Sequence, residues 1–352
     1  MSINENNICY APWNLIRVEP DGNCYSCSSA FVKDFYNYGN LFEQDLDEIW
    51  NGIEAQSFRN DKRTMSYSFC RKNDCFLFCA NFASYQNKSI EKLVSSKYPS
   101  LVSLSYDYTC SQRCVFCRDK VMIMPSPIAK KWESILESKI IPMLKDTKLL
   151  EISCSGEFFD SKHSQKILKK IVEVYPDIKL RIFSNGINFT QENVEKLGLV
   201  KNIAEVCLSI HSGSKRVHRK IFRSETYDRV LENMEYISKL KRDRVFDILN
   251  FEFAINVLNY KDIKKFIKLS EKYDAMPIFI MVNDTTNTEF VKKVDKFAVF
   301  KTSHYLYNDF VKRLSDPFVY KKLPEFLKIL KPVSKIQIIK NYIQHMKSCF
   351  GR

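Results

Sequence analysis

The chain has 352 residues, of which 45% are hydrophobic and 27% charged, with only 8 Gly and 11 Pro. That composition excludes collagen-like, low-complexity and mostly disordered chains, and the length allows roughly two domains with buried cores. The formal charge of +14 is unevenly spread: residues 1–85 are net acidic and the rest strongly basic. Such a surface attracts RNA, an acidic peptide or a nucleotide-linked substrate without choosing among them, and is equally compatible with simple solvation.

The opening MSINENNICY has neither a basic start nor an apolar run, and no later stretch offers about 18 uninterrupted apolar residues. The expectation is a cytoplasmic protein with no membrane partner. In a reducing compartment, clusters among the 12 cysteines hold metal or carry redox chemistry rather than pair as disulfides. Cys9, Cys24, Cys27, Cys70, Cys75 and Cys79 crowd the start of the chain; Cys110, Cys114 and Cys117 form a second group. Cys154, Cys207 and Cys349 stand alone and read as inert thiols.

In chain order, residues before 86 read as short aromatic strands with an Asp21-Gly22 turn and one helix near Leu46–Gly52, a segment whose fold depends on metal. From residue 100, β-rich runs alternate with helical periods. The strands are expected at Leu101–Tyr106, Leu149–Cys154, Lys179–Ser184, Ala204–Ile210, Leu249–Val257 and Pro277–Val282. Helices fall between them at Ile128–Leu144, Gln165–Tyr175, Gln191–Leu197 (Thr190 as N-cap, Gly198 past its end), Tyr227–Leu240 and Lys261–Tyr273. Six βα units in series predict an α/β fold, a partial (β/α)6 TIM-like barrel of parallel strands. Beyond residue 300, Leu323–Leu330 and Ile336–Met346 read as basic amphipathic helices packed on its outside. The expected domains are a Cys-rich domain at 1–85, the barrel at 98–300 and a basic helical extension at 301–352.

Cys110-x3-Cys114-x2-Cys117 directly follows the first barrel strand. Three closely spaced thiolates can hold three irons of a cubane and leave the fourth without a protein ligand, whereas structural zinc prefers four ligands. This spacing, with Phe116 before the third cysteine, resembles the signature of the radical S-adenosylmethionine (radical SAM) superfamily. The resemblance continues in order. Ser155-Gly156-Glu157 is similar to the Gly-Gly-Glu motif that receives the methionine amino group, with Ser in place of the first Gly. Ser184-Asn185-Gly186 is similar to the ribose-contacting Thr-Asn-Gly. Ser209-Ile210-His211 corresponds to a Ser-x-Asp segment, and Arg223 sits where the family's arginine reaches the methionine carboxylate. His211 replaces the usual Asp and is either a substrate-facing group or a neutral stand-in.

Each matched motif lies just after an expected strand, where side chains of an α/β barrel converge on one face. Glu157 can accept from an ammonium, Arg223 can pair with a carboxylate, and Asn185 can serve hydroxyls in both directions.

Cys9-x2-Pro12-Trp13, Asp21-Gly22, Cys27, Gly39-Asn40, Ile49-Trp50-Asn51-Gly52 with Arg59, and Cys70-x4-Cys75 resemble a SPASM-type auxiliary cluster domain. The resemblance implies one four-cysteine [4Fe–4S] cluster on Cys9, Cys27, Cys70 and Cys75. Cys24 and Cys79 are spares that can replace Cys27 and Cys75, and zinc is the structural alternative. It further implies a SAM-binding [4Fe–4S] cluster on Cys110, Cys114 and Cys117, S-adenosylmethionine itself, and an external flavodoxin- or ferredoxin-like electron donor. The implied reaction is reductive cleavage of S-adenosylmethionine to a 5′-deoxyadenosyl radical that takes hydrogen from a peptide or protein side chain. Alternatives are a carbohydrate or nucleotide-linked small molecule, RNA, or a non-catalytic iron–sulfur or zinc binding module.

Overall fold

Short runs rich in Leu, Ile, Val and Phe form the strands, and the segments of 3.6-residue apolar period between them form the helices. The computed structural model describes residues 8–9, 11–28, 31–64, 66–71, 86–87, 97–152, 155–282 and 294–350. Cys75, Cys79 and Cys154 lie outside the described residues. The chain divides into two compact units, one comprising Met1–Ser111, Val121–Cys207 and Lys239–Ile248, the other Gln112–Lys120, Leu208–Ser238 and Leu249–Arg352.

The first unit is built on β1 (Leu15–Val18), β2 (Asn23–Tyr25), β3 (Gly39–Asn40), β4 (Leu101–Leu104), β5 (Leu149–Ile152), β6 (Lys179–Ser184) and most of β7 (Ile203–Ser209), in the order β7-β6-β5-β4-β1-β2-β3. β1 and β2 form an antiparallel hairpin through the expected turn, where Gly22 adopts φ +86° and Asp21 accepts from the Asn23 amide. β1 then lies parallel to β4, Leu15 opposite Leu101, and β4, β5 and β6 continue in parallel register, Leu101 to Leu149 to Lys179. β4 and β5 are buried over all but their first residue, as parallel strands covered on both faces require. A polar row crosses these strands: Ser103 donates to Glu151 at 2.7 Å, and Arg181 bonds Glu151 at 3.2 Å and Glu205 at 2.6 Å.

The helices of this unit are α1 (Leu46–Asn51), α2 (Ile53–Arg63), α3 (Ser126–Ile135), α4 (Lys162–Val174) and α5 (Gln191–Leu197). α3 runs on as a π turn over Leu136–Ile140 and a 3₁₀ turn over Ile141–Asp146, which together fill the expected Ile128–Leu144 helix. α5 starts and stops as expected: Thr190 accepts from the Asn193 amide, and Gly198 closes the helix at φ +67°. α2 was not expected; the Gly52 before it marks a helix end, and only the structure shows that a second helix starts there.

The second unit pairs β8 (Ile248–Ile255) in parallel with β9 (Met276–Met281), Asn250 opposite Met276. Its helices are α6 (Lys215–Phe222), α7 (Tyr227–Arg242, which ends in the first unit), α8 (Ile263–Lys272) and α9 (Lys335–Phe350). A helix at Tyr307–Leu314 buries Tyr307, Phe310, Val311 and Leu314, and is tied down by Tyr260 donating to Asp309 at 2.6 Å. The expected Leu323–Leu330 helix is the single turn Glu325–Lys328, and the expected Ile336–Met346 helix is α9. The architecture is an α/β fold around a mostly parallel sheet with the Cys-rich segment at its N-terminal end. No helix among the described residues is long and apolar enough to cross a membrane.

Candidate active site

In the first unit, the chain leaving β4 runs through Asp107 and Thr109 to Cys110. Cys110 and Met122 exchange backbone hydrogen bonds of 2.8 and 3.1 Å, which closes the neck of the cysteine loop. Buried Asp107 accepts from the Thr109 amide at 2.8 Å and from the Ser161 and Ser164 hydroxyls at 2.5 and 2.6 Å. Against this segment lies Gly156, after β5: a Cβ there would stand 2.6 Å from the carbonyl oxygens of both Asp107 and Thr109. Only glycine permits that approach. The next amide, of Glu157, donates to the Thr109 carbonyl at 2.7 Å.

Glu157 is 3% exposed, and its carboxylate accepts from the Asn185 amide at 2.6 Å, the Ser184 hydroxyl at 2.9 Å and the Phe159 amide at 3.3 Å. Burial, with Asp160 adding to it against those hydrogen bonds, pushes its carboxyl up to about 7. Asn185 turns the chain after β6 by accepting from the Ile187 amide at 2.9 Å, with Gly186 at φ +78°. Asp160 joins the two loops: one oxygen accepts from the Ser111 amide at 2.7 Å, the other from the Asn188 side chain at 2.6 Å. The structure therefore gathers Glu157, Ser184 and Asn185 into one hydrogen-bonded group beside the segment that carries Cys110. Asp107 and Asp160, which hold that group, carried no sequence signal, because the partners that tie them across the site, Ser161 and Ser111, lie 54 and 49 residues away.

The second unit holds Cys114, Phe116, Cys117, Ser209, His211 and Arg223. The Cys114 carbonyl accepts from the Cys117 amide at 2.9 Å, and the Arg118 guanidinium donates to the Cys117 sulfur at 3.4 Å. Cys114, Val115 and Phe116 pack on Val217, Ile221 and Phe222 of α6, and the Val115 amide donates to the Ile221 carbonyl at 2.9 Å. Arg223 ends α6 in the left-handed region at φ +54°, 3.8 Å from Asp119.

Phe116 meets the His211 ring edge-on with centroids 5.0 Å apart. His211 Nδ1 accepts from the Ala254 amide at 3.0 Å, so its proton is on Nε2, 4.0 Å from Glu252. Burial, reinforced by His218, pushes its pKa down to about 3, which keeps the ring neutral. Ser209 donates to Glu252 at 3.5 Å, and desolvation pushes that carboxyl up to about 7 although its side chain is 19% exposed.

The N-terminal cysteines surround a buried set of aromatic and cationic groups, again in the first unit. The Cys9 amide donates to Tyr67 at 3.4 Å, Cys27 and Cys9 both lie within electrostatic reach of Tyr38, and Cys70 lies beside Lys62. Cys24 differs: it is fully buried, its thiol donates to the Gly22 carbonyl at 3.7 Å, and burial with Asp21 and Glu19 nearby drives its pKa far up.

Among the described residues no group of three His, Cys, Asp or Glu side chains stands close enough to hold a metal ion. The donor chemistry nevertheless fits iron–sulfur ligation: Cys110, Cys114 and Cys117 are unoxidised thiols, as are Cys9, Cys27 and Cys70. The buried Arg59 guanidinium near the latter group has two nitrogens without hydrogen-bond partners among the described residues, which suits an anionic occupant.

Residues 9–76 match an iron–sulfur cluster-binding domain of SPASM type, and residues 105–270 match the radical SAM superfamily. No curated protein matches the chain. Among solved structures, TYW1 with a bound lysine–pyruvate adduct is 16% identical over 64% of this chain and 72% of its own, with a TM-score of 0.37. Streptococcus suis SuiB bound to S-adenosylmethionine is 16% identical over 89% and 71%, with a TM-score of 0.41. Escherichia coli coproporphyrinogen III oxidase (HemN) is 13% identical over 70% and 52%, with a TM-score of 0.40. The two matched segments, in that order along well over half of the sequence, are those of the radical SAM superfamily and of an N-terminal SPASM iron–sulfur domain, and they imply [4Fe–4S] clusters and S-adenosylmethionine as cofactors.

Proposed function

We propose that the chain cleaves S-adenosylmethionine reductively and uses the resulting radical to modify a peptide or protein side chain. The observation that carries this is the Cys110-x3-Cys114-x2-Cys117 loop inside the matched radical SAM segment. When bound, a reduced cluster would supply one electron to the sulfonium of S-adenosylmethionine, the chemistry that makes this cofactor a source of a hydrogen-abstracting radical. The protein's part is to hold and orient. Cys110, Cys114 and Cys117 take three irons, with Phe116 packing the loop on α6. Ser155, Gly156 and Glu157 would form the side toward the methionine amino group, Ser184, Asn185 and Ser209 the ribose side, and Arg223 would take the carboxylate. Glu157 also orders the Ser184–Asn185 turn, so the groups that meet the nucleoside are fixed before it arrives.

In this reading residues 1–85 house an auxiliary cluster on Cys9, Cys27, Cys70 and Cys75, residues 98–300 perform the cleavage, and 301–352 extend the core. Cys24 is left out because its thiol is bonded to Gly22 beside two carboxylates. A flavodoxin- or ferredoxin-like protein delivers the electron. Support for a peptide substrate is the SPASM segment itself, a module best known in enzymes that modify peptides.

The test is anaerobic reconstitution with iron and sulfide, then dithionite and S-adenosylmethionine. About eight irons per chain and release of 5′-deoxyadenosine that Cys114→Ala abolishes are expected. Synthetic peptides encoded by short reading frames beside the gene should raise that release and return with altered mass; stimulation by RNA or sugar nucleotides instead would overturn the peptide assignment.

A further inference from the structure

Among the described residues, the N-terminal segment buries more hydrogen-bond donors and positive charge than the acceptors beside them can serve. Arg59 is 1% exposed, lies over the Trp50 ring at 4.3 Å and donates Nε to the Pro12 carbonyl at 2.8 Å. Its Nη1 and Nη2 are buried and have no acceptor among the described residues; the buried Tyr38 and Ser26 hydroxyls lie beside one another and lack any other partner there. Tyr38 lies within electrostatic reach of Arg59, Cys27 and Cys9, and Ser26 precedes Cys27. Lys62, as deeply buried, pairs with Asp61 at 3.0 Å and stacks on Phe58 and Tyr67. The Lys62 ammonium lies beside Cys70.

Buried donors without acceptors and a buried cation without a full counter-charge are strongly unfavourable, so a native site that keeps them has an anion to receive them. A cluster held by four thiolates carries about −2 in its oxidised form and one more negative charge when reduced, and its sulfurs accept hydrogen bonds. We propose that Arg59, Tyr38 and Ser26 donate hydrogen bonds to the sulfur atoms of the auxiliary iron–sulfur cluster, and that Arg59 and Lys62 raise its reduction potential by offsetting its negative charge. This rests on the auxiliary-cluster assignment above. These are positioning residues: they touch no reacting atom of the substrate. The more negative reduced form gains most from the two cations, which gives the direction of the effect.

The measurement is an anaerobic redox titration followed by electron paramagnetic resonance on the full chain carrying Cys114→Ala, so that only the auxiliary cluster is read. Arg59→Met should lower the ratio of reduced to oxidised cluster at fixed potential at least tenfold, about 59 mV for one electron. Arg59→Lys should fall between Met and the parent. Tyr38→Phe deletes one oxygen and keeps the packing, so it should lower the ratio less but in the same direction. If the hydroxyl were only structural, its removal would leave the potential unmoved. Unchanged potentials in Tyr38→Phe and Arg59→Lys, with iron retained, overturn the proposal. A parent that binds no iron overturns the cluster assignment instead, a separate failure.

Discussion

Gly156→Ala tests the close approach on which the candidate site depends. An alanine Cβ would stand 2.6 Å from two backbone carbonyl oxygens, of Asp107 and Thr109, and 2.9 Å from the Tyr108 carbonyl carbon. Backbone cannot rotate away as a side chain can, so reaching ordinary contact requires the two loops to separate by about 0.8 Å. Overpacking of that kind costs about 1–3 kcal/mol. The 2.7 Å bond from the Glu157 amide to Thr109 stretches with it and forfeits about 1 kcal/mol more.

The total, about 2–4 kcal/mol, should lower the melting temperature by several degrees. The larger effect is on chemistry, because Glu157 moves with Gly156 and carries the Ser184–Asn185 turn; a displacement near 1 Å can cost about 10²-fold in rate. The assay is anaerobic 5′-deoxyadenosine release normalised to iron content, with Gly198→Ala as control. Gly198 has φ +67° and nothing within 4 Å of an added Cβ, so its alanine variant pays only the cost of left-handed backbone, about 1 kcal/mol, and keeps its cleavage rate. Parental cleavage and melting temperature in Gly156→Ala would refute the reasoning.

Three further outcomes are expected. Glu157 holds its proton more tightly folded than unfolded, so the native state is most stable below the unfolded carboxyl range and loses up to about 3 kcal/mol as pH rises from about 4.5 through 7. Glu157→Gln should remove that loss, and denaturant unfolding at pH 5 and 8 with the same pH dependence in both proteins would contradict it. Asp160→Ala should strip the acceptor from the Ser111 amide and from Asn188, destabilising by about 2–3 kcal/mol and lowering cleavage while iron content stays at the parental level. Cys27→Ala should halve the reconstituted iron and Cys24→Ala should leave it unchanged; the reverse pattern, read by iron analysis, would exchange the two assignments.

The strands of the core were legible because each is a short, largely apolar run bounded by polar or turn-forming residues, and all six fall within two residues of expectation where the structure describes their ends. α5 was legible to the residue because Thr190 and Gly198 both carry their capping chemistry locally. α6 was missed: KRVHRKIF is short and mostly basic, and its apolar stripe, Val217, Ile221 and Phe222, shows its purpose only against Val115 and Phe116. In the site, the motif residues were visible as a series after successive strands. What holds them was not. Glu157 reads in sequence as an acceptor for an ammonium, and the sequence does not show that its carboxylate also binds Ser184 and Asn185. Arg59 and Lys62 sit on an unexceptional polar helix, and nothing within α2 reveals that both are buried. Apart from Lys62, whose partners are near in sequence, each gap is a pairing across a longer sequence separation, which local propensity cannot encode.

The same long-range pairing explains a departure from the family pattern. β1 does not stand apart as part of an appended cysteine module; it lies along β4, residue for residue from Leu15–Leu101 to Val18–Leu104, and covers the strand edge that would otherwise be open beside β5. One residue past β1, Glu19 is held by Arg17 at 2.6 Å and accepts from the Ser155 hydroxyl at 3.2 Å. Ser155 is the position where the resemblance expects glycine. A glycine there could not reach Glu19, whereas serine ties the loop after β5 to the strand that leads into Cys24 and Cys27. The hairpin that presents the N-terminal cysteines and the loop that contains Gly156 and Glu157 therefore share one hydrogen-bonded frame. Displacement of either one is felt by the other through a single side chain, without any need for the two cysteine groups to touch.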